Sequence, residues 1–164
     1  MVNNMINHEF DVFINDDSEI LILGSFPSVK SREYGFYYMH KSNRFYRILS
    51  SIFNDFSFLD PNIEIKKNAL KTHKIALYDV VESCSIILSD DSTIENVKPI
   101  DLISLLKKYN KIKKIYLNGK KAYELFIRYF SFINIEYKLL PSTSPRNASF
   151  TLEKLIDKWI IIKS

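Results

Sequence analysis

Ile20-Leu21-Ile22-Leu23-Gly24-Ser25-Phe26-Pro27-Ser28 carries four consecutive apolar residues, stopped by a glycine and followed by a polar turn. An apolar run without alternation is what a strand covered on both faces needs, and such strands belong to parallel sheets packed under helices. Three further strands, not all of them continuous apolar runs, follow along the chain. Ile75-Ala76-Leu77-Tyr78 runs into Asp79, Lys114-Ile115-Tyr116-Leu117 stops at Asn118-Gly119, and Ile135 to Leu140 ends at Pro141. Helical stretches lie between these strands. Asn43 to Phe53 places Phe45, Ile48, Leu49, Ile52 and Phe53 on one stripe. Pro99 opens a helix through Tyr109, since proline is tolerated in a first turn. Lys120 to Phe132 and Thr151 to Trp159 read as two more helices. Strands alternating with helices predict an α/β fold, a parallel sheet with helices on both faces. No repeat, low-complexity tract or linker interrupts the pattern, so residues 1–164 read as one domain.

Composition narrows the class. One cysteine forms no internal disulfide and no cysteine-rich metal site, which makes a reducing compartment such as the cytoplasm the default expectation. No apolar run approaches the ~20 residues that span a bilayer, and Met1 to Asp11 lacks a basic stretch followed by an apolar one. Collagen, coiled coil, disulfide scaffold, membrane protein and disordered tail are excluded. The chain holds 12 Phe, 10 Tyr and 1 Trp against 3 glycines, so Gly24, Gly35 and Gly119 are each expected to meet a local backbone demand. The net charge of +4 is unevenly spread. Residues 1–23 contain five acids and no Lys or Arg, whereas residues 98–128 contain nine bases against Asp101 and Glu124. Such a basic stretch fits a polyanion partner, and it equally fits a solvated helix face.

Four segments fall at the carboxyl ends of the strands: Gly24 to Pro27, Tyr78-Asp79-Val80, Asn118-Gly119-Lys120 and Pro141 to Pro145. In open α/β sheets the ligand crevice lies outside those ends. Each segment has a functional and a structural reading. The aromatic cluster Tyr34 to Met39 offers faces for stacking on bases, and Asn43 can orient a water or a base edge. Alternatively Phe36 and Tyr37 are core and Asn43 is a helix cap. Pro141-Ser142-Thr143-Ser144-Pro145-Arg146-Asn147-Ala148 can approach a phosphodiester through amides and hydroxyls, or it simply connects a strand to a helix. Asn118-Gly119-Lys120 can hold a phosphate at a helix start, or cap it. Asp79 is either a base or a cap on the next turn, and His40 is either packed or exposed. The spacing of a P-loop, a dinucleotide fold, a Ser-His-Asp set or a metal site is absent.

Taken together, Leu21 to Arg32, Gly35-Phe36-Tyr37-Tyr38, Asn43-Arg44-Phe45, Ala76 to Cys84, Asp91-Ser92, Asn96 to Pro99 and Leu140 to Pro145 resemble the hypoxanthine-DNA glycosylase branch of the uracil-DNA glycosylase superfamily. The resemblance runs through nearly the whole chain in order. Gly35-Phe36 through Phe45 is also similar to the mismatch-specific uracil glycosylase branch. The chain departs from the pattern in carrying Tyr46 and Tyr78 where tryptophan is usual, Lys41 in place of proline, and Arg146 in place of a small residue. No histidine lies between Leu139 and Ser149.

The resemblance implies a three-layer α/β/α sandwich with a short, mainly parallel central sheet, and a monofunctional glycosylase that flips a deaminated base out of DNA. Hypoxanthine is the expected base, uracil the alternative, and a silent nucleic-acid-binding module on the same fold the alternative of another class. Asn43 would hold the attacking water, with Asp79 the fallback, because Ser25-Phe26 lacks the usual Asn or Asp. Phe36 would stack on the base, Tyr37 or Tyr78 would close the pocket, and backbone amides of the Gly24-Ser25-Phe26-Pro27 turn would read the base edge. Asn118, Gly119, Lys120, Ser142, Thr143 and Ser144 would contact DNA, while Pro145 and Arg146 pinch or fill the gap. A metal or cofactor is not expected, and a monomer acting on DNA at the nucleoid is.

Overall fold

The computed structural model describes residues 5–86 and 90–164. Its strands are β1 (Met5–Asn7), β2 (Ile20–Gly24), β3 (Ile75–Asp79), β4 (Val81–Ser85), β5 (Glu95–Pro99), β6 (Lys114–Asn118) and β7 (Glu136–Leu140). The four segments read as strands form one parallel sheet in the order β3-β2-β6-β7, with β7 a largely exposed edge strand. Alternation along β2 divides the core. Ile22 faces one cluster with Leu77 and Tyr116, while Leu21 and Leu23 face another with Ala76, Ile115 and Leu117.

The helices are α1 (Val29–Tyr34), α2 (Phe45–Phe53), α3 (Ile63–Thr72), α4 (Leu102–Lys108), α5 (Lys120–Phe130) and α6 (Leu152–Trp159). The first cluster is closed by α2, α3 and α6 through Ile48, Leu49, Leu70, Leu155 and Trp159. The second is closed by α4 and α5 through Leu102, Leu125 and Phe126. Two helical layers around a parallel sheet make the three-layer sandwich that the sequence pattern implies.

Two boundaries differ from expectation, each for a local reason. Helix α2 starts at Phe45 rather than Asn43, because the Asn43 side chain accepts the Phe45 N–H at 2.9 Å and turns the chain before the helix. The segment up to Pro99 is strand β5, and α4 begins only at Leu102, where Asp101 accepts the Ser104 N–H at 3.2 Å. A proline in a first turn and a proline ending an edge strand are alike in local sequence. The antiparallel sheet β1-β4-β5 is likewise absent from the sequence reading, since β1 and β5 are short and largely exposed and the buried β4, Val81-Glu82-Ser83-Cys84-Ser85, carries no continuous apolar run.

The small sheet steers the start of the chain toward the large one. Strand β1 pairs with β4, and the chain beyond it crosses β3 through a bridge between Phe13 and Leu77. The N-terminal segment is thereby laid along the carboxyl end of β3.

Candidate active site

A cavity of about 440 Å³ opens at the carboxyl edge of the parallel sheet, a size usual for a small-ligand site. It is lined by Gly24 to Ser31, Tyr37, Tyr38, His40, Asn43, Asp79, Asn118 and Ser142 to Arg146. Members of all four predicted segments meet there, as the strand register requires.

One wall is built by β2 and β3. Register sets Gly24 beside Asp79. A Cβ on Gly24 would lie 2.5 Å from Asp79 Oδ1, so only glycine lets the carboxylate lie across the strand end. The Gly24 and Ser25 carbonyls accept the N–H groups of Val80 and Val81 at 2.8 and 3.1 Å, so both are spent on the strand end, and Pro27 has no N–H to give a ligand. Asp79 is 3% exposed, and its Oδ2 is 2.8 Å from His8 Nε2. His8 was missed by the sequence reading. Its only signal there was a histidine in an acidic, lysine-free segment, and the partner lies 71 residues away.

The opposite wall is a chain of side-chain hydrogen bonds. The Asn118 side chain accepts the Thr143 N–H at 3.0 Å and donates to Thr143 Oγ1 at 3.1 Å. Thr143 Oγ1 in turn donates to Asn43 Oδ1 at 2.8 Å. Asn43 Oδ1 therefore accepts from both a hydroxyl and the Phe45 N–H. A backbone N–H only donates, which fixes the amide's orientation and leaves Nδ2 as the group Asn43 can offer the cavity. Thr143 is fully buried, so the chain is held from behind.

Arg44, the next residue, ties the last loop to α2. Its guanidinium donates to the carbonyls of Thr143, Ser144, Asn147 and Phe150, and desolvation together with Arg47 lowers its pKa. The indole of Trp159, fully buried, donates to Pro141 O at 2.9 Å. Within the loop, Ser142 Oγ and Ser144 Oγ each accept a backbone N–H at 3.2 Å, and each hydroxyl keeps a hydrogen that it can donate. Gly119, at φ 102°, lets this loop approach closely: a Cβ there would meet Ser142 Cβ at 3.0 Å.

Several expected residues sit elsewhere. Phe36 is 3% exposed and packs edge-on against Phe13 at 5.7 Å, outside the cavity, because the apolar layer under α3 claims its ring. Tyr37 and Tyr38 line the cavity in its place. Tyr37 donates to Asp11 O at 2.9 Å, and burial with the nearby Asp79 charge raises its pKa. Tyr78 packs edge-on against His8 at 5.2 Å and does not line the cavity. Nor do Gly119 and Lys120, the first a support for Ser142 and the second exposed. Arg146 is exposed at the rim, with Nη1 3.8 Å from Asp90 Oδ1.

The basic stretch 98–128 is partly neutralised by tertiary contacts. Lys113 pairs with Glu19 at 2.7 Å, Lys111 with Asp17 at 3.1 Å, and Lys98 with Glu82 at 3.0 Å. Hydrogen bonds from Lys113 and Lys74 pull the Glu19 carboxyl down to about 2. Two of those three acids come from the acidic N-terminal segment. Among the described residues, no group of three or more His, Cys, Asp or Glu is placed to hold a metal ion.

A family model described as the uracil DNA glycosylase superfamily matches residues 12–161. A hypoxanthine DNA glycosylase of Methanosarcina acetivorans is 34% identical, over 90% of this chain and 92% of its own length. Its namesake in Methanosarcina barkeri is 35% identical, over 84% and 86%. The solution NMR structure of a Methanosarcina acetivorans protein proposed to be a uracil DNA glycosylase superposes with a TM-score of 0.83 at 30% identity, covering 98% of this chain and 97% of that one. With a family model matched over most of its length and relatives similar over almost the whole of theirs, the chain belongs to the uracil DNA glycosylase superfamily.

Proposed function

We propose that this protein is a monofunctional DNA glycosylase that removes deaminated bases, hypoxanthine foremost, from DNA. The observation that carries the reading is the Asn43 amide, locked by Thr143 and Asn118 with its N–H₂ group left for the cavity. The similarity to hypoxanthine DNA glycosylases supports the choice of base.

A glycosidic carbon cannot be reached inside a stacked duplex, so the nucleotide is extruded into the cavity. Ser142 and Ser144 grip flanking phosphates by donating their hydroxyl hydrogens, and Pro145 and Arg146 occupy the loop that meets the gap. The C1′–N bond breaks, the base departs with the electron pair, and the oxygen of water bonds to C1′. The water gives up a proton to solvent, and the departed base anion takes one up, so the step balances as a hydrolysis. The sugar passes through an oxocarbenium-like state, an electrophile that takes even a weakly activated water. Asn43 Nδ2 donates to that water's oxygen and holds it on one face of the sugar, which is positioning rather than base catalysis. Asp79, whose carboxylate opens on the same cavity, is the second candidate for holding the water. No cofactor enters this scheme. The enzyme acts on DNA as a monomer, in the cytoplasm at the nucleoid. Among the described residues no helix is long and apolar enough to cross a membrane.

The test is incubation with labelled duplexes carrying inosine, uracil, xanthine or an alkylated base, with and without excess chelator, followed by alkali to cleave abasic sites. Inosine is expected to be cut fastest, with chelator making no difference. Uracil cut faster than inosine would move the substrate, and binding without abasic sites would make the protein a silent binding module.

A further inference from the structure

We propose that His8 is a positioning residue for base recognition: it fixes Asp79 so that the free carboxylate oxygen accepts the ring N–H that a deaminated base carries on its Watson–Crick edge. This rests on the glycosylase reading and gives the same cavity its selectivity.

The geometry is specific. The side chains of His8 and Asp79 are 3% and 4% exposed, at the end of the strand that walls the cavity. The imidazole is enclosed by rings, with Phe10 at 4.7 Å, Tyr78 at 5.2 Å, Tyr37 at 5.9 Å and Phe26 at 6.1 Å. Its Nδ1 is buried and has no hydrogen-bond partner among the described residues. A proton on Nδ1 would be an orphaned buried donor, whereas a bare ring nitrogen there is the lesser loss. The tautomer that fits places its proton on Nε2, donating to Asp79 Oδ2 at 2.8 Å.

Two constraints then aim the other oxygen. His8 holds Oδ2 from behind, and Gly24, lacking a side chain, lets Oδ1 lie across the end of β2 on the cavity wall. An ionised carboxylate only accepts hydrogen bonds. Deamination of adenine or cytosine turns the ring nitrogen of the pairing edge from a bare acceptor into an N–H donor. Hypoxanthine and uracil therefore match Asp79 Oδ1, while adenine and cytosine set a lone pair against it. A site built to bond an N–H rejects a ligand lacking it strongly, because its own buried group is left unpaired. Guanine and thymine share the N–H and are not separated by this contact. The pair is thus a detector of deamination rather than of one base.

Binding distinguishes this role from a structural one. The probes are a duplex with 2′-fluoro-deoxyinosine, which resists cleavage, and the same duplex with a reduced abasic site, which has no base to read. His8→Phe keeps the ring packing and loses the N–H; His8→Gln keeps an N–H near the Nε2 position. His8→Phe is expected to bind the fluoro-inosine duplex at least about tenfold more weakly than wild type, with abasic affinity within about threefold, and His8→Gln to recover most of the loss. Asp79→Asn, a near-isostere, turns its N–H₂ toward the base because His8 still donates to its oxygen, and shows the same selective loss. Equal losses on both duplexes, no loss in His8→Phe, or wild-type inosine binding by Asp79→Asn would overturn the proposal. The Asp79→Asn arm decides if His8→Phe fails to fold. A wild-type protein that neither cuts inosine nor prefers the fluoro-inosine duplex would instead refute the glycosylase reading itself.

Discussion

The two walls of the cavity are built by opposite means. The wall at β2 and β3 is made of strand backbone in register, with a buried His8–Asp79 pair behind it. The wall at α2 and the last loop is irregular chain, held by one guanidinium on four carbonyls and by the Asn118–Thr143–Asn43 series. The first wall inherits its precision from the sheet. The second has no ladder of its own, so side chains must supply what backbone pairing supplies opposite. That division suits the two tasks proposed for them, a fixed edge to read a base and a loop shaped to meet a deformable sugar–phosphate chain.

The sharpest way to break the comparison is at Asn43. Orienting a nucleophile or moving a proton contributes ~10²–10⁴ in rate. Asn43→Ala is expected to lose at least about a hundredfold in single-turnover excision while DNA affinity stays within about tenfold. Thr143→Val, which removes only the hydroxyl that orients the amide, should lose less than Asn43→Ala. Full activity in Asn43→Ala together with an inactive Asp79→Asn would move the water to the other wall.

Arg44 tests whether the loop wall depends on that single group. Arg44→Met leaves carbonyls of Thr143, Ser144, Asn147 and Phe150 without their donor. Hydrogen bonds to charged groups contribute roughly 1.5–3 kcal/mol each and do not add, so a loss of about 2–4 kcal/mol is expected. Thermal denaturation should show Tm lower by roughly 5–10 °C, and excision should fall about tenfold as the loop loosens. An unchanged Tm would mean that Trp159 and the Asn118 contacts hold the loop without it.

Arg146 at the rim sharpens the contrast further. If it fills the space left by the flipped base, Arg146→Ala should cut excision from duplex inosine by about fivefold and spare single strands, where nothing must be unstacked. Equal losses on both substrates would refute gap filling. A fall of about one unit in the slope of log affinity against log salt, the same for every opposing base, would assign it to phosphate.

The smallest effect lies far from either wall. Glu19 is held near a pKa of about 2 against an ordinary 4.5, chiefly by Lys113 and Lys74. A depressed carboxyl stabilises the fold above its ordinary pKa, and that contribution disappears as pH falls from about 4.5 to about 2. Glu19→Gln should therefore flatten the drop of Tm across that window, and less so in high salt because the pair is exposed. An identical acid profile in the variant would leave those lysines without a role in acid stability.

Legibility in the sequence followed the range of the interaction. The parallel strands were plain because Ile20 to Leu23 or Lys114 to Leu117 carry their signal within a few residues. The loops at their ends could be placed together because the alternation of strands and helices dictates that edge. The ring that meets the cavity could not be read the same way. Phe36, Tyr37 and Tyr38 are consecutive aromatics, and which of them turns inward depends on the positive φ of Tyr38 and on the space under α3. The charge map was incomplete for the same reason: acids at 17 and 19 neutralise lysines at 111 and 113 only once the chain is folded.

By itself the sequence determined the layered α/β architecture, the strand ends that face the ligand, and the presence of Asp79, Asn118 and the Pro141–Pro145 loop at that edge, whereas the place of Asn43 there entered only through the family resemblance. Those depend on apolar periodicity and on where glycine and proline stop it, which are local properties. Only the tertiary structure decided that Asn43 presents its N–H₂ group, that Arg44 clasps the last loop, and that His8 lies behind Asp79. A hydrogen bond requires two groups within about 3 Å, and His8 and Asp79 stand 71 residues apart. The short antiparallel sheet that joins them leaves almost no periodic trace, so their meeting is a property of the folded chain.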